Sequence, residues 1–400
     1  MPGPLHGVRV LEFTSVVLGP WACQLLGDMG ADVIKVEPPG GDSNRRVGPA
    51  RHPGMGAFFL TCNRNKRGIV LDLKQEPGRQ AALDLAATAD VLVHNFRPAA
   101  LRRLRLDYAH VHARNPRIVF CGTYGFGSQG PKGDEPAYDD SIQAASGLAM
   151  FQAALSGQPG FVPTIVCDKT TALAVVSAVI AALFHRERTG EGQEVEVPMF
   201  ETMVGFLAAE HLQGQVFDPP EGPAGYPRVL SRYRRPYRTR DGYLAVLPYL
   251  DEHWRAFCGI AGRADLADNP RYARLADRSA RIDEVYAETE RIVATRTTGD
   301  WVDALRQTSV PFTEVRAYED LAEDDHLRAT GFWQTVEHAS EGRLRLPGIA
   351  TRFAATPGAI QRLPPRLGEH SVEILREIGY DRARIDALLS SGVTLQAGGR

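Results

Sequence analysis

The chain has 400 residues, of which 44% are hydrophobic and 24% are charged, and its formal net charge at pH 7 is −2. This length is enough for a sizeable core and favours two domains or one elaborated domain. The composition excludes a largely disordered chain, and the small net charge argues against nucleic acid or a membrane surface as a partner.

Cysteine and histidine spacing gives no indication of a disulfide framework or a metal site. The five cysteines are scattered without a CxxC pair, and the eleven histidines show no HExxH spacing. The N-terminal MPGPLHGVRV lacks the basic and apolar segments of a signal peptide. The most apolar helical segment is interrupted by Ser177 and is predicted to be too short to span a bilayer comfortably. We therefore expect a soluble cytoplasmic protein without a bound metal.

The first 200 residues alternate between apolar strands and helical patterns. VRVLEF is followed by a helix expected to start at Pro20 and then by ADVIKVE, which together form a βαβ unit. Further strands are predicted at IVLDL, DVLVHNF, RIVFCGTY and EVEV, with helical patterns such as GRQAALDLAATA and MFETMVGFLAAEHL. This order predicts a mostly parallel sheet covered by helices.

A second unit is predicted after FDPPEGPAGYPRVLSRYRRP, a stretch rich in proline, glycine and arginine that is typical of a linker. The DG pair in YRTRDGYLAVLPY indicates a β-hairpin, and helical patterns follow it. The chain ends with RLGEHSVEILREIGY and DRARIDALLSSGV, which we expect to form two short helices.

Several common catalytic motifs do not fit this chain. GFGSQG, residues 125–130, matches GxGxxG, but the following PKGDEP cannot start the helix that a dinucleotide site requires. There is no GxSxG nucleophile motif. Cys167 lies in an apolar run, where burial raises a thiol pKa and usually leaves the group inert.

Asp168 is a single acid at the point where the strand-like FVPTIV gives way to an apolar helix. Aspartate is a preferred N-cap, so a capping role is open. A nucleophilic role is open as well and is compatible with capping. Burial that raises the pKa by about two units from a reference near 3.9 would leave the carboxylate mainly ionised at pH 7. Such a carboxylate can attack an activated carbonyl, for example a thioester, to give an anhydride.

The order of motifs along nearly the whole chain resembles the class III coenzyme A transferases, the CaiB/BaiF family. The resemblance is carried by VRVLEFTSVVLGPWACQLLGDMGADVIKVEPPGGD, NRNKRGIVLDLK, ADVLVHNFRPAAL, GTYGFGSQGP, YDDSIQAASG, CDKTTAL, RTGEGQEVEVPMFE, YRTRDGYLAV, DDHLRATGFW and LGEHSVEILREIGY. It implies an α/β fold with a Rossmann-like large domain and a smaller α+β domain, in an interlocked homodimer.

The resemblance also implies domain limits. Residues 1–200 would form the N-terminal part of the large CoA-binding domain, residues 201–229 a linker and residues 230–315 the small domain. Residues 316–400 would return to complete the large domain. Two chains that interlock through such crossings would share a large, obligate interface.

The function implied by the resemblance is transfer of CoA from an acyl-CoA thioester to a small carboxylic acid. Asp168 matches the family nucleophile, which forms an aspartyl anhydride and then an aspartyl-CoA thioester. Coenzyme A and its esters are then substrates, and no permanently bound cofactor is expected. Two alternatives stay open, an α-methylacyl-CoA racemase type of isomerase and a non-catalytic CoA-binding subunit.

Residues in five segments match CoA-contacting positions of the family. Val16 matches a position near the adenosine, although ordinary packing explains it equally well. Leu71 and Lys74 match a segment that lines the adenine and phosphate site, and the lysine is a plausible phosphate partner. Asn95 and Phe96 match residues that flank the pantetheine and the reactive end.

Arg103 and Tyr138 complete this set. Arg103 matches a basic residue near the phosphates, although an arginine on such a helix is usually just solvated. Tyr138 matches a residue near the acyl group, where racemases of the family carry histidine. The reference pKa of tyrosine, near 10, makes it a poor base at neutral pH and favours transfer over racemisation.

Two departures from the family pattern bear on substrates. Formyl-CoA:oxalate transferases carry glutamine where this chain has Val17, and their glycine run in the small domain is absent here, which argues against oxalate as the acceptor. Pro38 replaces a basic residue of some members, and Arg45 and Arg46 are candidates to take over its phosphate contacts.

A cluster of arginines lies at the entry to the predicted small domain. It forms either a solvated hairpin face or, in part, a site that pairs with a carboxylate of a dicarboxylic acid such as succinate. The cluster comprises Arg228, Arg232, Arg234, Arg235, Arg238 and Arg240.

Overall fold

A computed structural model describes residues 3–398. The chain packs as two compact units, of which the first contains residues 3–146, 163–206 and 326–398 and the second contains residues 147–162 and 207–325. The predicted limits at residues 200, 229 and 315 stay predictions. The packing differs from them in one clear respect, since residues 147–162, expected in the large domain, pack with the second unit.

The first unit is built on a six-stranded parallel sheet. Its order is β3-β2-β1-β4-β5-β6, and neighbouring strands are in register, as at Leu11 opposite Ile34 and Leu92. The strands are β1 Arg9–Phe13, β2 Asp32–Glu37, β3 Lys66–Val70, β4 Val91–His94, β5 Val119–Gly122 and β6 Gln193–Glu196. The predicted parallel sheet of an α/β fold is therefore confirmed. Since β1 pairs with β2 on one side and with β4 on the other, successive strands are added in opposite directions on its two sides. Parallel sheets place ligands at such a switch point.

Helices cover this sheet and make up most of the second unit. Residues 3–398 contain α1 Leu18–Asp28, α2 Ala57–Cys62, α3 Glu76–Ala86, α4 Pro98–Leu104, α5 Tyr108–His112, α6 Asp139–Ala145, α7 Leu148–Ser156, α8 Val166–Thr189, α9 Met199–His211, α10 Pro227–Leu230, α11 Asp251–Ile260, α12 Ala264–Ala267, α13 Leu275–Ser279, α14 Ile282–Val293, α15 Thr298–Leu305, α16 Asp325–Ala329, α17 Ser371–Glu377 and α18 Arg382–Ser390. Short 3₁₀ helices lie at Ser43–Arg46, Gln213–Val216 and Glu319–Glu323. The two short helices expected at the end of the chain are α17 and α18.

The start of α1 differs from the sequence prediction. The helix begins at Leu18, so Pro20 is its third residue rather than its first. The change costs no hydrogen bond, because the amides of a first helical turn have no partner within the helix and proline lacks only such an amide.

The apolar helix α8 is longer than the sequence prediction allowed. It has 24 residues, and its mean hydropathy of 1.7 over 18 residues makes it long and apolar enough to cross a bilayer by those criteria. The prediction that it is too short is wrong. Core helices of soluble α/β proteins pass the same criteria, and α8 packs against α1 and against strands β5 and β6 of the sheet.

The second unit has its own antiparallel sheet and aromatic core. Strands β7 Tyr237–Arg238, β8 Tyr243–Val246 and β9 Phe312–Glu314 pair in that order, and β7 and β8 form the hairpin that the DG pair predicts. Trp254, Phe257 and Trp301 are fully buried beside this sheet. In the first unit, β10 Trp333–His338 and β11 Gly342–Pro347 form a separate hairpin.

Candidate active site

A cavity of about 290 Å³ lies where the chain leaves the carboxyl ends of the central strands. Its wall contains the loop after β1, the first residues after β4 and β5, the segment before α6, and the first turn of α8. Four of the eight predicted site residues line it, namely Val16, Asn95, Tyr138 and Asp168. The topology thus brings together residues that are up to 152 positions apart (from 16 to 168).

Asp168 is the third residue of α8, and only 8% of its surface is exposed. The N-cap position is occupied by Ile165, which makes no side-chain cap, so the alternative of Asp168 as the N-cap is wrong. The free amide of Asp168 is instead bound by the Oδ1 atom of Asp139, at 3.0 Å. Among residues 3–398, neither hydrogen bonds nor ion pairs engage the Asp168 carboxylate, which leaves it available to a ligand.

The pKa of Asp168 is raised to about 7, first by burial and second by the negative charge of Asp139. The shift is larger than the sequence suggested, so about half of the Asp168 side chains are ionised in the free protein at pH 7. Burial raises the pKa of the adjacent Cys167 thiol to about 12, which leaves that group inert as a nucleophile.

The loop after β1 is strained at Val16. Its φ angle of 71° lies in the left-handed region, which a β-branched residue rarely adopts. The Oδ1 atom of Asp42 accepts a hydrogen bond of 3.2 Å from the Val16 amide, and the side-chain amide of Asn44 donates one to the Val16 carbonyl. Since the strain is held by specific contacts beside the Asp168 cavity, it is of the kind found at functional sites.

Asn95 joins the ends of the two central strands. Its Oδ1 atom accepts the amide of Ser15 at 3.2 Å, and its Nδ2 atom donates to the carbonyl of Ser15 at 2.8 Å. Both polar ends of the Asn95 side chain are therefore used to fix the loop that contains Val16. This contact gives Asn95 a structural role beside the predicted one in binding.

A fully buried charge cluster supports the same loop. The Nζ atom of Lys35 lies 2.9 Å from Glu12 and 3.0 Å from Asp42, and that of Lys66 lies 2.8 Å from Glu12. Each of these four side chains is at most 1% exposed. Sequence reasoning missed the cluster, although charges at Glu12 and Lys35 inside apolar strands could have indicated it.

The other four predicted CoA contacts lie outside the Asp168 cavity. Leu71 is completely buried in the core of the first unit, so its side chain supports the sheet and only its backbone could contact a ligand. Phe96 is half-buried and packs against the same core. Lys74 and Arg103 are exposed, the latter in the last turn of α4.

Arg45 and Arg46 were candidates to replace the phosphate contacts of the basic residue that is absent at position 38. Arg45 is not available for this role. It is buried, its Nε and Nη2 atoms bind Glu37 at 2.7 and 2.6 Å, and its guanidinium lies 3.7 Å from the ring centre of Phe59. These contacts occupy Arg45 structurally. Arg46 is exposed and donates to the carbonyl of Gly40 at 2.9 Å, so it stays a candidate.

The glycine-rich loop of residues 125–130 does not form a phosphate cradle. The amides of Gly127 and Ser128 donate to Glu201 and Glu196, at 3.0 and 2.6 Å, so carboxylates of the protein already occupy them. Gly125 packs so closely on Ala137 that an added Cβ would lie 2.3 Å from the alanine Cβ. The loop therefore serves to place the segment before Tyr138. Within residues 3–398, the side chains of His, Cys, Asp and Glu form no group suited to a metal ion.

Comparison with known protein families identifies the family of this chain. The model of CoA-transferase family III matches residues 5–371. The chain belongs to this family. The resemblance seen in the sequence is confirmed, and the protein is a transferase of CoA groups.

The relatives that this family member matches cover nearly its whole length. It is 35% identical over 393 residues to the succinate–glutarate CoA-transferase of Agrobacterium fabrum, covering 94% of this chain and 96% of the relative. It is 32% identical over 386 residues to a probable fatty acyl-CoA transferase of Mycobacterium tuberculosis, covering 93% and 97%. It is also 31% identical over 419 residues to the formyl-CoA:oxalate CoA-transferase of Rhodopseudomonas palustris (strain CGA009), covering 98% of each chain.

Solved structures of the family share the fold. A crystal structure of a protein from M. tuberculosis in an orthorhombic form superposes with a TM-score of 0.82 at 31% identity, covering 94% of this chain and 99% of the other. A CAIB/BAIF family protein from Brucella suis superposes with a TM-score of 0.80 at 29% identity, covering 94% and 100%. The α/β architecture of this chain is thus that of its family.

Proposed function

We propose that this CoA-transferase moves CoA from an acyl-CoA to a carboxylic acid with Asp168 as a covalent nucleophile. One observation carries the proposal. The Asp168 carboxylate is buried at the switch point of the sheet, faces a cavity and has no hydrogen-bonding partner within residues 3–398. A carboxylate that has lost part of its hydration, and whose pKa is raised to about 7, is a stronger nucleophile than one in water.

The reaction balances without ATP. A carboxylate oxygen of Asp168 attacks the thioester carbonyl, the C–S bond breaks, and the CoA thiolate leaves with the electron pair. The thiolate then attacks the aspartyl carbonyl of the anhydride, which releases the donor acid and leaves an aspartyl-CoA thioester. The acceptor carboxylate attacks that thioester, and the released thiolate attacks the acceptor's carbonyl to give the new acyl-CoA and free Asp168.

CoA would lie along the carboxyl edge of the sheet. Val16 and Asn95 would contact it within the cavity, with Tyr138 near the acyl group. Phe96 would flank the pantetheine. The exposed Lys74 and Arg103 and the backbone of Leu71 would serve the adenosine and phosphate end, where lysine and arginine pair well with phosphate.

The acceptor is proposed to be a dicarboxylate. Within the arginine cluster of the second unit, Arg228 donates to Tyr286, Arg232 to Tyr233 and Arg235 to Glu290. Arg234 is exposed, and in the described part of the chain its guanidinium has no such partner. Arg238 and Arg240 are likewise exposed without such a partner in the described residues, and of these three we propose Arg234 as the one that binds the second carboxylate. The relative from A. fabrum is named for succinate and glutarate, which supports this choice of acceptor class.

Replacement of Arg234 tests the acceptor class. We expect Arg234→Ala to lower kcat/KM for dicarboxylate acceptors by about tenfold or more and to leave monocarboxylates nearly unaffected, since only dicarboxylates have a second charge to pair. Arg235→Ala, which removes a side chain already paired with Glu290, is the control. Equal effects of Arg234→Ala on both acceptor classes would contradict the proposal.

We further propose a homodimer, interlocked as in the family. Leu173, Ile180 and Phe184 are exposed on α8, at spacings of seven and four residues that place them on one face of the helix. Val204 and Phe206 of α9 are also exposed. Exposed apolar faces of this kind mark interaction surfaces. A cytoplasmic location stays a prediction from the sequence.

Chemical trapping distinguishes the proposed mechanism from the two alternatives. The protein is incubated with a panel of acyl-CoA esters, treated with hydroxylamine or borohydride, and digested for peptide mass spectrometry. We expect modification of the peptide that contains Asp168 and none in Asp168→Asn. Exchange of the substrate α-proton with solvent deuterium without a trapped adduct would support a racemase instead, and binding without either would support a non-catalytic subunit.

The cavity itself favours transfer over racemisation. Tyr138 is 71% exposed at its mouth, and histidine is absent from the described residues that line it. A racemase needs an acid and a base on opposite sides of the substrate carbon. Position 138, where racemases of the family carry histidine, is tyrosine here, and the carboxylates on the cavity wall are those of Asp168 and Glu135.

A further inference from the structure

Asp139 makes two hydrogen bonds that connect it to the proposed nucleophile. It is the first residue of α6 and is 6% exposed. Its Oδ1 atom accepts the backbone amide of Asp168 at 3.0 Å, and its Oδ2 atom accepts the side-chain amide of Gln143 at 2.6 Å. Gln143 is itself only 1% exposed. The two oxygens of one buried carboxylate are thus held at fixed points.

The hydrogen bond from the Asp168 amide to Asp139 takes the place of a side-chain N-cap for α8. The amides of a first helical turn have no partner within the helix, and the N-cap residue Ile165 supplies no side-chain acceptor. Asp139 supplies the acceptor from α6, a separate helix. The side chain of Gln143 also approaches the carbonyl of Thr164, at 3.5 Å, so α6 binds the chain on both sides of the start of α8.

Asp139 also brings a negative charge without a paired cation. Both of its donors are neutral amides, and within residues 3–398 it forms no ion pair with lysine or arginine. Negative charge beside a buried carboxylate disfavours the ionised form of that carboxylate. The other titratable or charged side chains at the start of α8 or in the cavity are Arg97, Tyr124, Glu135, Tyr138, Asp140, Cys167 and Lys169.

We propose that Asp139 is a positioning residue, which anchors Asp168 through its backbone amide and makes acylation of Asp168 more favourable through its own negative charge. The inference rests on the proposed function. When Asp168 attacks a thioester, its oxygen bonds to the acyl carbon, the C–S bond breaks, and the negative charge moves from Asp168 to the CoA sulfur. The repulsion between the two carboxylates ends at that step, so Asp139 favours the adduct over the free carboxylate.

Two variants separate the two roles of Asp139. Asp139→Asn keeps an oxygen that can accept the Asp168 amide but removes the charge, whereas Asp139→Ala removes both. Asp140→Asn is the matched control, because it neutralises the next residue, which is exposed. The measured quantity is the rate at which the donor acid is released from its CoA ester in a single turnover with excess enzyme, followed from about pH 5 to pH 9.

The wild-type rate should rise with pH through about 7, as Asp168 ionises. In Asp139→Asn we expect this limb to move to lower pH by about one unit and the rate above pH 8 to fall about tenfold, because the nucleophile is less basic. Asp139→Ala should be slower still, and KM should change little in either variant. Asp140→Asn should overlay the wild type.

A titration without turnover completes the test. Carbon-13 labelling of aspartate carboxyl groups allows the pKa of Asp168 to be followed by NMR, with Asp168→Asn to assign the signal. A lower pKa in Asp139→Asn supports the inference, and an unchanged pKa together with an unchanged rate profile overturns it. Failure of the wild type to release the donor acid from any acyl-CoA would instead disprove the proposed function, and the titration would still decide the effect of Asp139.

Discussion

At the scale of single residues, Asp168 is accessible to a ligand in the cavity, but its ionised carboxylate lowers the stability of the folded state. Its carboxylate faces the cavity, is 8% exposed and lies near Asp139. A carboxylate in such surroundings is destabilised when ionised, because it loses hydration and gains no cation. Active sites often destabilise the folded protein in this way, and the destabilisation ends when the reacting group loses its charge.

The cost predicts that Asp168→Asn stabilises the protein in a pH-dependent way. The pKa of Asp168 is about 7 in the folded state and 3.8 as the reference for the unfolded chain, so the folded state binds the proton more tightly. The free energy of unfolding of the wild type therefore falls as the pH rises from about 4 to 7. Asp168→Asn should therefore match the wild type near pH 4 and exceed it at pH 8 by up to about 4 kcal/mol.

Urea unfolding of both proteins at several pH values measures this difference. Asp140→Asn, at an exposed neighbouring acid, is the control and should show little pH-dependent gain. A constant difference between Asp168→Asn and wild type from pH 4 to pH 8 would show that Asp168 is not destabilised by ionisation.

At the scale of elements, the loop after β1 is the most constrained part of the site. Asp42, Asn44 and Asn95 together bind the backbone of Ser15 and Val16, and the buried charges of Glu12 and Lys35 hold Asp42. The left-handed backbone of Val16 costs on the order of 1–3 kcal/mol, which these contacts offset. The loop is therefore rigid where the ligand is expected.

Glycine at position 16 should relieve the strain and loosen the loop. We expect Val16→Gly to raise the free energy of unfolding by about 1 kcal/mol and to lower kcat/KM for the acyl-CoA, because glycine adopts positive φ freely but fixes the loop less well. Val16→Ala is the control, since it keeps a Cβ at the same backbone angle. The account of this loop is wrong if Val16→Gly is less stable than Val16→Ala.

The elements also show what the sequence could and could not predict. The parallel sheet, the position of Asp168 at the start of α8 and the hairpin after the linker follow from local apolar patterns and turn residues, whereas the strand order does not. The cap of α8 by Asp139 could not be predicted, because its donor and acceptor are 29 positions apart and only tertiary packing joins them. The structural role of Arg45 was missed although its partner Glu37 is only eight positions away, because their pairing depends on the fold of the loop after β2.

At the scale of the whole molecule, the exposed apolar residues of α8 bear on assembly. Phe184 is 64% exposed and Leu173 is 53% exposed, although the opposite face of the same helix is buried in the first unit. Burial of one such side chain contributes about 1.5–3 kcal/mol. A dimer that covers this face would be stabilised by its burial, in agreement with the apolar residues that lie on more than one side of α8 between residues 172 and 184.

A charge on this face should weaken the dimer. We expect Phe184→Asp to raise the dissociation constant at least about tenfold, since a carboxylate would lose its hydration in an apolar interface. Sedimentation velocity over a range of concentrations measures the change, with Leu395→Asp, another exposed apolar position, as control. Sedimentation of the wild type as a monomer at micromolar concentration would refute the homodimer.

The central claim is that Asp168 carries the acyl group and then CoA, and oxygen-isotope transfer tests it most directly. If the acceptor acid is labelled with oxygen-18, each turnover leaves one acceptor oxygen on Asp168 when the thiolate cleaves the second anhydride. Peptide mass spectrometry after several turnovers should therefore find up to two heavy oxygens on the Asp168 carboxyl and none on Asp139 or Asp140. Continued formation of the acceptor's CoA ester without label on Asp168 would contradict the account.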